Sequence, residues 1–447
     1  EGPSLAQPYL DKAEAGLAGV TDQEAAVIAA IAAWVANDIP QAVACVQDIA
    51  TQYPYELAII KAGQYHQFNL GNSPGMLRLI QPVLEANQDN PYVHGMAAFA
   101  YEQCHMLDKA EAAAWKAVEL QRKEPWAHHA LAHIMLTQGR IDEGIRFFDD
   151  VRDTWTDLNS FMYTHNWWHD AVFQISRGHY DAALKMYDTE IWGKLKDYSQ
   201  DQIGAVSLLA RLELVGVDVG DRWQDVAECM KPRVDDHVQP FLTMQYAYGL
   251  ARAGRDEADQ LLKSLGDFAP NAPAFQRQAW LDVALPACKG LVAHAKGDWQ
   301  SAVEYLRPLT GRWLEIGGSH AQRDLFDLVY LDALIKSDAF NGQTYNDTAK
   351  AAEATIEKAE GKLLSALAGT SATQEDVDDL WEGMMDRLQD AYQESYDQLD
   401  VDGEETLAEE SYQALELFSG RGPSAPDIED YREDQGNKKQ AARATMK

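Results

Sequence analysis

A repeat with a period of 34 residues is the sequence feature that most limits how this chain folds. Pro91 and Pro125 each open a helix-like stretch and lie 34 residues apart. Aligning the two prolines brings small residues into register, namely Ala98 with Ala132 and Ala110 with Gly144. Small residues at fixed positions let two helix backbones approach closely, so the period predicts stacked helix-turn-helix units.

Comparable helix pairs extend over most of the chain. They are 25–37 with 41–52, 58–70 with 74–86, 167–176 with 180–191, 241–253 with 256–265 and 283–295 with 299–309. No stretch alternates apolar and polar residues as a half-buried strand does. We therefore predict an all-α, right-handed α-solenoid of tetratricopeptide-like repeats over residues 1–340, interrupted at 153–163 and at 193–235.

The remaining residues, 341–447, differ in composition. They contain few large apolar side chains and many acidic ones, so we expect an acidic, partly helical C-terminal extension that ends in a flexible tail.

Charge and apolar runs limit the partners and the location. The chain has 71 acidic and 38 basic residues, a net charge of -33, which repels nucleic-acid phosphate and anionic lipid. No run of 18 apolar residues predicts membrane insertion, and no signal peptide is visible at the start. Four widely spaced cysteines match reduced core residues better than a disulfide framework. We expect a cytoplasmic protein that binds neither nucleic acid nor membrane.

Two histidine pairs are the strongest candidate site. His129 and His133 are spaced i, i+4, as are His165 and His169, so each pair shares one face of a helix. In the repeat frame His129, His133 and His165 fall at positions that line the concave groove, with His169 one step around the helix. We therefore predict that these side chains converge in one segment of the groove.

Two interpretations of the pairs stay open. The imidazoles could form a polar pocket for a metal ion, a carboxylate or a transferred proton. Alternatively, they could bond buried carbonyl groups inside an aromatic interface that includes Trp126, Trp167 and Trp168. A metal ion is the less favoured form of the pocket, since no carboxylate stands in an HExxH register.

Several motifs resemble a known family. They are HALAH (129–133), HNWWH (165–169), YDAALKMYD (180–188), LLARLE (208–213), VDVGDRW (217–223) and GGSHAQRD (317–324). In this order they resemble the tetratricopeptide repeat protein 38-like family of bacteria and animals. The resemblance implies a tetratricopeptide solenoid and transfers no reaction.

Charged residues add two further candidates. Arg323 and Asp324 follow a Gly-Gly-Ser turn whose backbone N–H groups can bind an anion. Arg323 and Asp327, spaced i, i+4, could simply pair on a helix surface, whereas the recurrence of this motif in the family resemblance implies that Arg323 points into the groove. If the array curls far enough, this end closes over the histidines. Arg211 stands inside an apolar helix, where a structural ion pair with a carboxylate is favoured over ligand binding.

Two functions follow from these features. The first is a binding protein whose groove holds a peptide, a partner protein or a small molecule through His129, His133, His165, Asn166, Trp168, His169, Arg323 and Asp324. The alternative is an enzyme in which the four histidines supply acid–base or metal-dependent chemistry on an anionic small molecule. The exposed ends of a solenoid also make a homodimer a hypothesis.

Overall fold

The computed structural model describes residues 2–337, and within this range the chain forms eighteen α-helices and no strand. In chain order they are α1 Gly2–Ala15, α2 Asp22–Val35, α3 Ile39–Gln52, α4 Leu57–Asn69, α5 Ser73–Ala86, α6 Pro91–Gln103, α7 Leu107–Leu120, α8 Pro125–Thr137, α9 Ile141–Val151, α10 Ser160–Ser176, α11 Tyr180–Met186, α12 Ser199–Leu214, α13 Arg222–Met230, α14 Pro240–Arg252, α15 Glu257–Phe268, α16 Leu285–Ala295, α17 Trp299–Leu306 and α18 His320–Lys336. The prediction of an all-α chain is confirmed.

The helices pack as consecutive antiparallel pairs, from α2 with α3 to α16 with α17. From α6 to α16 the first helix of each pair also packs on the first helix of the next, as α6 does on α8 and α10 on α12. This two-layer arrangement is that of a tetratricopeptide-like solenoid, in which the first helices line the concave face.

Small residues mark the helix crossings, as the 34-residue period predicts. Ala98, Ala110 and Ala132 are fully buried. A Cβ atom on Gly144 of α9 would lie only 2.2 Å from the ring of Phe173 on α10. A larger side chain at these positions would separate the helices, because interiors are close-packed.

The predicted interruption at 193–235 is wrong in part. Within it α12 and α13 form another helix pair, and α12 packs on both α10 and α14. The pattern is obscured because α13 is short and the loop before it carries Gly216 and Gly220, both with positive φ. The break at 153–163 is also shorter than expected, since Asn159 caps α10 by accepting a hydrogen bond from the Met162 amide at 3.0 Å.

The end of the described array curls back onto its beginning. We call residues 313–323 the closing segment. A Cβ on Gly71 would lie 1.9 Å from the Leu314 carbonyl oxygen, and Gly317, with φ +78°, passes against the Asn69 carbonyl. The rings of His105 and His320 are 4.3 Å apart. These contacts enclose part of the concave face instead of leaving an open groove.

No helix between residues 2 and 337 is both long and apolar enough to cross a membrane. The acidic extension predicted for 341–447 lies outside the described residues, so the division of the chain at residue 340 stays a prediction.

Candidate functional site

Four histidines meet at the centre of the concave face. His129 and His133 come from α8, and His165 and His169 from α10, which packs beside it. One nitrogen of each ring lies within 4.8 Å of one nitrogen of each of the others. We call these four residues the His cluster. The predicted convergence is confirmed, and it includes His169, which the repeat frame placed one step away.

The cluster is dry. The exposed fractions are 2% for His129, 1% for His133, 8% for His165 and 0% for His169. Burial, together with the neighbouring histidines, lowers the pKa of His165 to about 3 and those of His129 and His169 well below the ordinary value. These three imidazoles are therefore neutral near pH 7, which is the form that binds metal ions.

The Nε2 atom of His129 lies within hydrogen-bond distance of two other Nε2 atoms, although it can form only one good hydrogen bond. His129 Nε2 lies 3.0 Å from His165 Nε2 and 3.1 Å from His133 Nε2. A neutral ring nitrogen carries either one hydrogen or one lone pair, so it forms one good hydrogen bond. Hydrogen bonding within the trio therefore satisfies only one of the two contacts well.

His169 is the least satisfied member. Both of its ring nitrogens are buried without a hydrogen-bond partner in residues 2–337, and the Nδ1 atom of His129 is in the same condition. Leaving a buried polar atom unpaired costs about 1–3 kcal/mol. Three of the four imidazoles, those of His129, His133 and His169, have unpaired nitrogens, and these nitrogens lower the stability of the folded state.

A buried carboxylate lies behind the cluster. Glu102 of α6, 1% exposed, places Oε1 3.4 Å from His133 Nδ1, while its other oxygen accepts a bond from Gln103 Nε2 at 2.5 Å. Burial raises the pKa of Glu102, but His133, His320 and Gln103 outweigh it, and the net direction is down. Neither His133 Nδ1 nor Glu102 Oε1 forms a hydrogen bond within residues 2–337, but a carboxylate at this distance offsets the charge of a cation bound by the ring.

A cavity of about 30 Å³ borders His129 and His165. The closing segment supplies part of its wall through Gly318, Ser319 and Gln322. The other lining side chains are mainly aromatic or amide, with one basic residue, and are Lys61, Gln64, Tyr65, Phe68, Asn69, Met76, Phe99, Trp126, Phe161, Gln200, Gln239 and Phe241. This partly closed space has room for a few atoms.

The other predicted site residues take different positions. Trp168 stacks on His165, with ring centroids 5.5 Å apart and planes 5° from parallel. Asn166 points to the Pro125 carbonyl at 3.4 Å, and Arg323 donates to the Gly318 carbonyl and to His320 Nδ1. Asn166, Arg323 and Asp324 are absent from the cavity wall, so their proposed contact with a ligand stays a prediction.

Arg211 forms the structural ion pair that its apolar helix predicts. Its guanidinium donates to both carboxylate oxygens of Asp324 and to the Ala321 carbonyl at 2.8 Å. The side chain of Asp324 is 54% exposed. This pair ties α12 to the start of α18 and so supports the closing segment.

Lys61 and Glu102 are the site residues that the sequence interpretation missed. Lys61, Gln64, Tyr65 and Phe68 are spaced i, i+3, i+4 and i+7 on α4, the spacing of one helix face, and all four line the cavity. On the first helix of a repeat, this spacing predicts side chains that face the concave groove together. Glu102 offered none, because a single Glu near a helix end is typical of an exposed surface.

The fold and the cluster define a class, an all-α helical-repeat protein with a histidine site enclosed by its own concave face. No protein-family model matches the chain. The chain is similar to a chain of the solved "Structure of Naa15/Naa10 bound to HypK-THB", with 12% identity, a TM-score of 0.26, and coverage of 93% of this chain and 80% of that one. The class assignment rests on the helix pairs themselves.

Proposed function

We propose that the protein binds a divalent first-row transition-metal ion at the His cluster and uses it to hold a small molecule in the adjoining cavity. The observation that carries this proposal is the trio of Nε2 atoms at 3.0 and 3.1 Å beside the unpaired His169. One cation accepts a lone pair from each ring and so satisfies contacts that protons cannot.

The donor set fits such an ion. Imidazole nitrogens suit zinc, copper, iron and nickel, whereas calcium and magnesium prefer oxygen. Zinc–nitrogen bonds of about 2.0–2.1 Å place tetrahedral ligands about 3.4 Å apart. The Nε2 separations are close to this ligand–ligand distance. Where two of the four ring nitrogens are as far apart as 4.8 Å, binding requires one ring to move inward by about 1 Å.

A small ligand fits the site better than a peptide. A peptide needs an open groove of several residues' length, whereas the closing segment leaves a partly closed space of about 30 Å³. The peptide-binding hypothesis therefore has less support than the small-molecule one.

A metal-dependent enzyme is the second candidate. His129 and His165 border the cavity, whereas His133 and His169 do not. An ion held by three of the four rings would keep an open fourth position, as catalytic centres require, and His129 and His165 would place that ion beside the ligand space. There it would polarise a bound group or lower the pKa of a bound water.

Membership of the tetratricopeptide repeat protein 38-like family is part of the proposal. The motifs that carry the resemblance are the ones that build the site. The segments 129–133 and 165–169 supply the His cluster, and 317–324 lies mostly within the closing segment.

Metal analysis tests the proposal. We expect about one transition-metal ion per chain after purification without chelators, and a cobalt d–d absorption band when metal-free protein is titrated with Co²⁺. His169→Ala and His165→Ala should each weaken binding at least tenfold. His128→Gln is the matched control, because His128 is buried on the same helix but bonds the Arg122 carbonyl and the Trp155 indole.

The proposal fails if folded protein takes up none of zinc, cobalt, nickel, copper or iron at stoichiometry. It also fails if the alanine variants bind metal as tightly as the control.

A further inference from the structure

A half-buried lysine, Lys61, lines the cavity. The Lys61 ammonium lies 3.7 Å from the centroid of the Trp126 ring, and it donates one hydrogen bond, at 3.1 Å, to the neutral amide of Gln64. Among residues 2–337 it forms no salt bridge. Burial lowers the pKa of Lys61 to about 8, so the side chain still carries its charge at pH 7.

The acidic group that interacts with the charge of Lys61 is Glu124, whose Oε2 is engaged at the start of α8 and whose Oε1 has no hydrogen-bond partner in residues 2–337. Glu124 accepts a hydrogen bond from the Ala127 amide at 2.5 Å and caps the start of α8. Burial raises the pKa of Glu124 to about 7, so it is only a partial negative charge near neutrality. Lys61 therefore has spare capacity to pair with an anion that enters the cavity.

The cavity joins Lys61 to the His cluster. Its wall includes Lys61 and Gln64 from α4 and His129 and His165 from α8 and α10. Between them stand aromatic side chains such as Phe99 and Phe161, which exclude water and strengthen a charge–charge contact. The volume of about 30 Å³ limits an occupant to a few heavy atoms.

We propose that Lys61 forms an anion subsite beside the His cluster, and that the cavity takes a small monoanion of carboxylate type, of the size of formate or acetate. The proposal deepens the proposed function, since it names the charge and class of the ligand. The anion would pair with the ammonium at one end and face the cluster at the other.

Binding of acetate and azide to the 447-residue chain tests this subsite. Acetate binding is measured by calorimetry on metal-free and Co²⁺-loaded protein, and azide by its change of the cobalt absorption band. Lys61→Met should raise the acetate Kd at least tenfold in both forms, and Lys61→Arg should retain part of the affinity. Lys116→Met, at an exposed lysine, is the control and should bind like the unmodified protein.

The outcomes separate the two proposals. Equal acetate binding by Lys61→Met and by the control overturns the anion subsite while leaving the metal site intact, as does the absence of binding at 50 mM acetate. Acetate binding that depends on Lys61 in a protein that takes up no cobalt supports the subsite and overturns the metal proposal. Circular dichroism verifies that each variant is folded, and Lys61→Gln, which also removes the charge, replaces the methionine variant if that one is not.

Discussion

The molecule contains two buried histidine sites of opposite character. His294 on α16 has both ring nitrogens bonded, Nδ1 to the Tyr248 hydroxyl at 3.1 Å and Nε2 to Asp332 Oδ2 at 2.8 Å. It is as buried as the His cluster, at 3% exposed. In the cluster His169 has neither nitrogen bonded.

The difference separates a structural histidine from a ligand-binding one. At His294 the fold supplies a hydroxyl and a carboxylate, so the imidazole contributes to stability and needs nothing more. At the cluster the fold supplies other imidazoles in place of partners, and the unpaired nitrogens lower stability. A local loss of stability of this kind is expected at residues that bind a ligand or take part in catalysis.

The largest expected effect is stabilisation by metal. Zn²⁺ at a thousandfold excess over its Kd should raise the free energy of unfolding by about 4 kcal/mol, because it binds the folded state alone. Thermal melts with Zn²⁺ and with chelator measure the difference. The increase should vanish in His169→Ala and persist in His294→Gln; an equal increase in both variants would contradict the comparison.

Leucine substitutions in metal-free protein should act in opposite directions at the two sites. His294→Leu leaves the Tyr248 hydroxyl and the Asp332 carboxylate without their partner and should cost about 2–3 kcal/mol. His169→Leu removes two unpaired nitrogens and should leave stability unchanged or raise it by about 1 kcal/mol. Urea denaturation in the presence of EDTA measures both, and similar losses would show that the cluster is an ordinary core.

Acid should weaken the closing segment. The pKa of His320 is lowered to about 4, mainly by burial; Glu102 opposes this shift, and Arg323 and His105 add to it. The folded pKa lies below the unfolded value of about 6.5, so this contribution is complete above pH 6.5 and is lost as the pH falls toward 4. We expect a loss of about 2–3 kcal/mol over this range, because each unit of pKa shift corresponds to about 1.4 kcal/mol.

His320→Gln is the comparison for that pH dependence. Denaturation curves between pH 7 and pH 4 should decline less steeply for the variant than for the unmodified protein. Parallel curves would show that His320 does not control the segment.

Asp324→Asn should have the smallest effect. The carboxylate is half exposed, and Arg211 keeps its bond to the Ala321 carbonyl, so a loss of about 0.5–1 kcal/mol is expected. Metal content and acetate affinity should stay unchanged. A tenfold loss of either would instead restore Asp324 to the ligand-binding set that the sequence predicts.

Much of the fold follows from local patterns. Ala98 and Ala132 mark helix crossings because neighbouring repeats meet at the same positions, and the i, i+4 histidines share a face because helix geometry requires it. The pair α12–α13 was missed because its loop glycines look like a boundary. Local sequence patterns therefore predict the contacts between adjacent repeats, but not the contacts between distant ones.

The enclosure of the site depends on distant contacts that no local pattern reveals. Lys61 lies two repeats before the histidines, and Gln322 reaches the same cavity from the last described helix. Their meeting depends on how much the array turns per repeat, which is set by packing at every interface. The sequence therefore indicates the histidines but not the position of Lys61 beside them.

The closing segment also fixes the number of repeats. An open solenoid tolerates the gain or loss of a unit, because each repeat contacts only its neighbours. Here Leu314 must reach Gly71, and Gln200 Nε2 lies 3.4 Å from the Tyr65 hydroxyl across the interior. One repeat more or fewer would displace these partners from each other. Duplication or deletion of a repeat, the usual way in which repeat proteins evolve, would therefore break these contacts anywhere between α4 and α18.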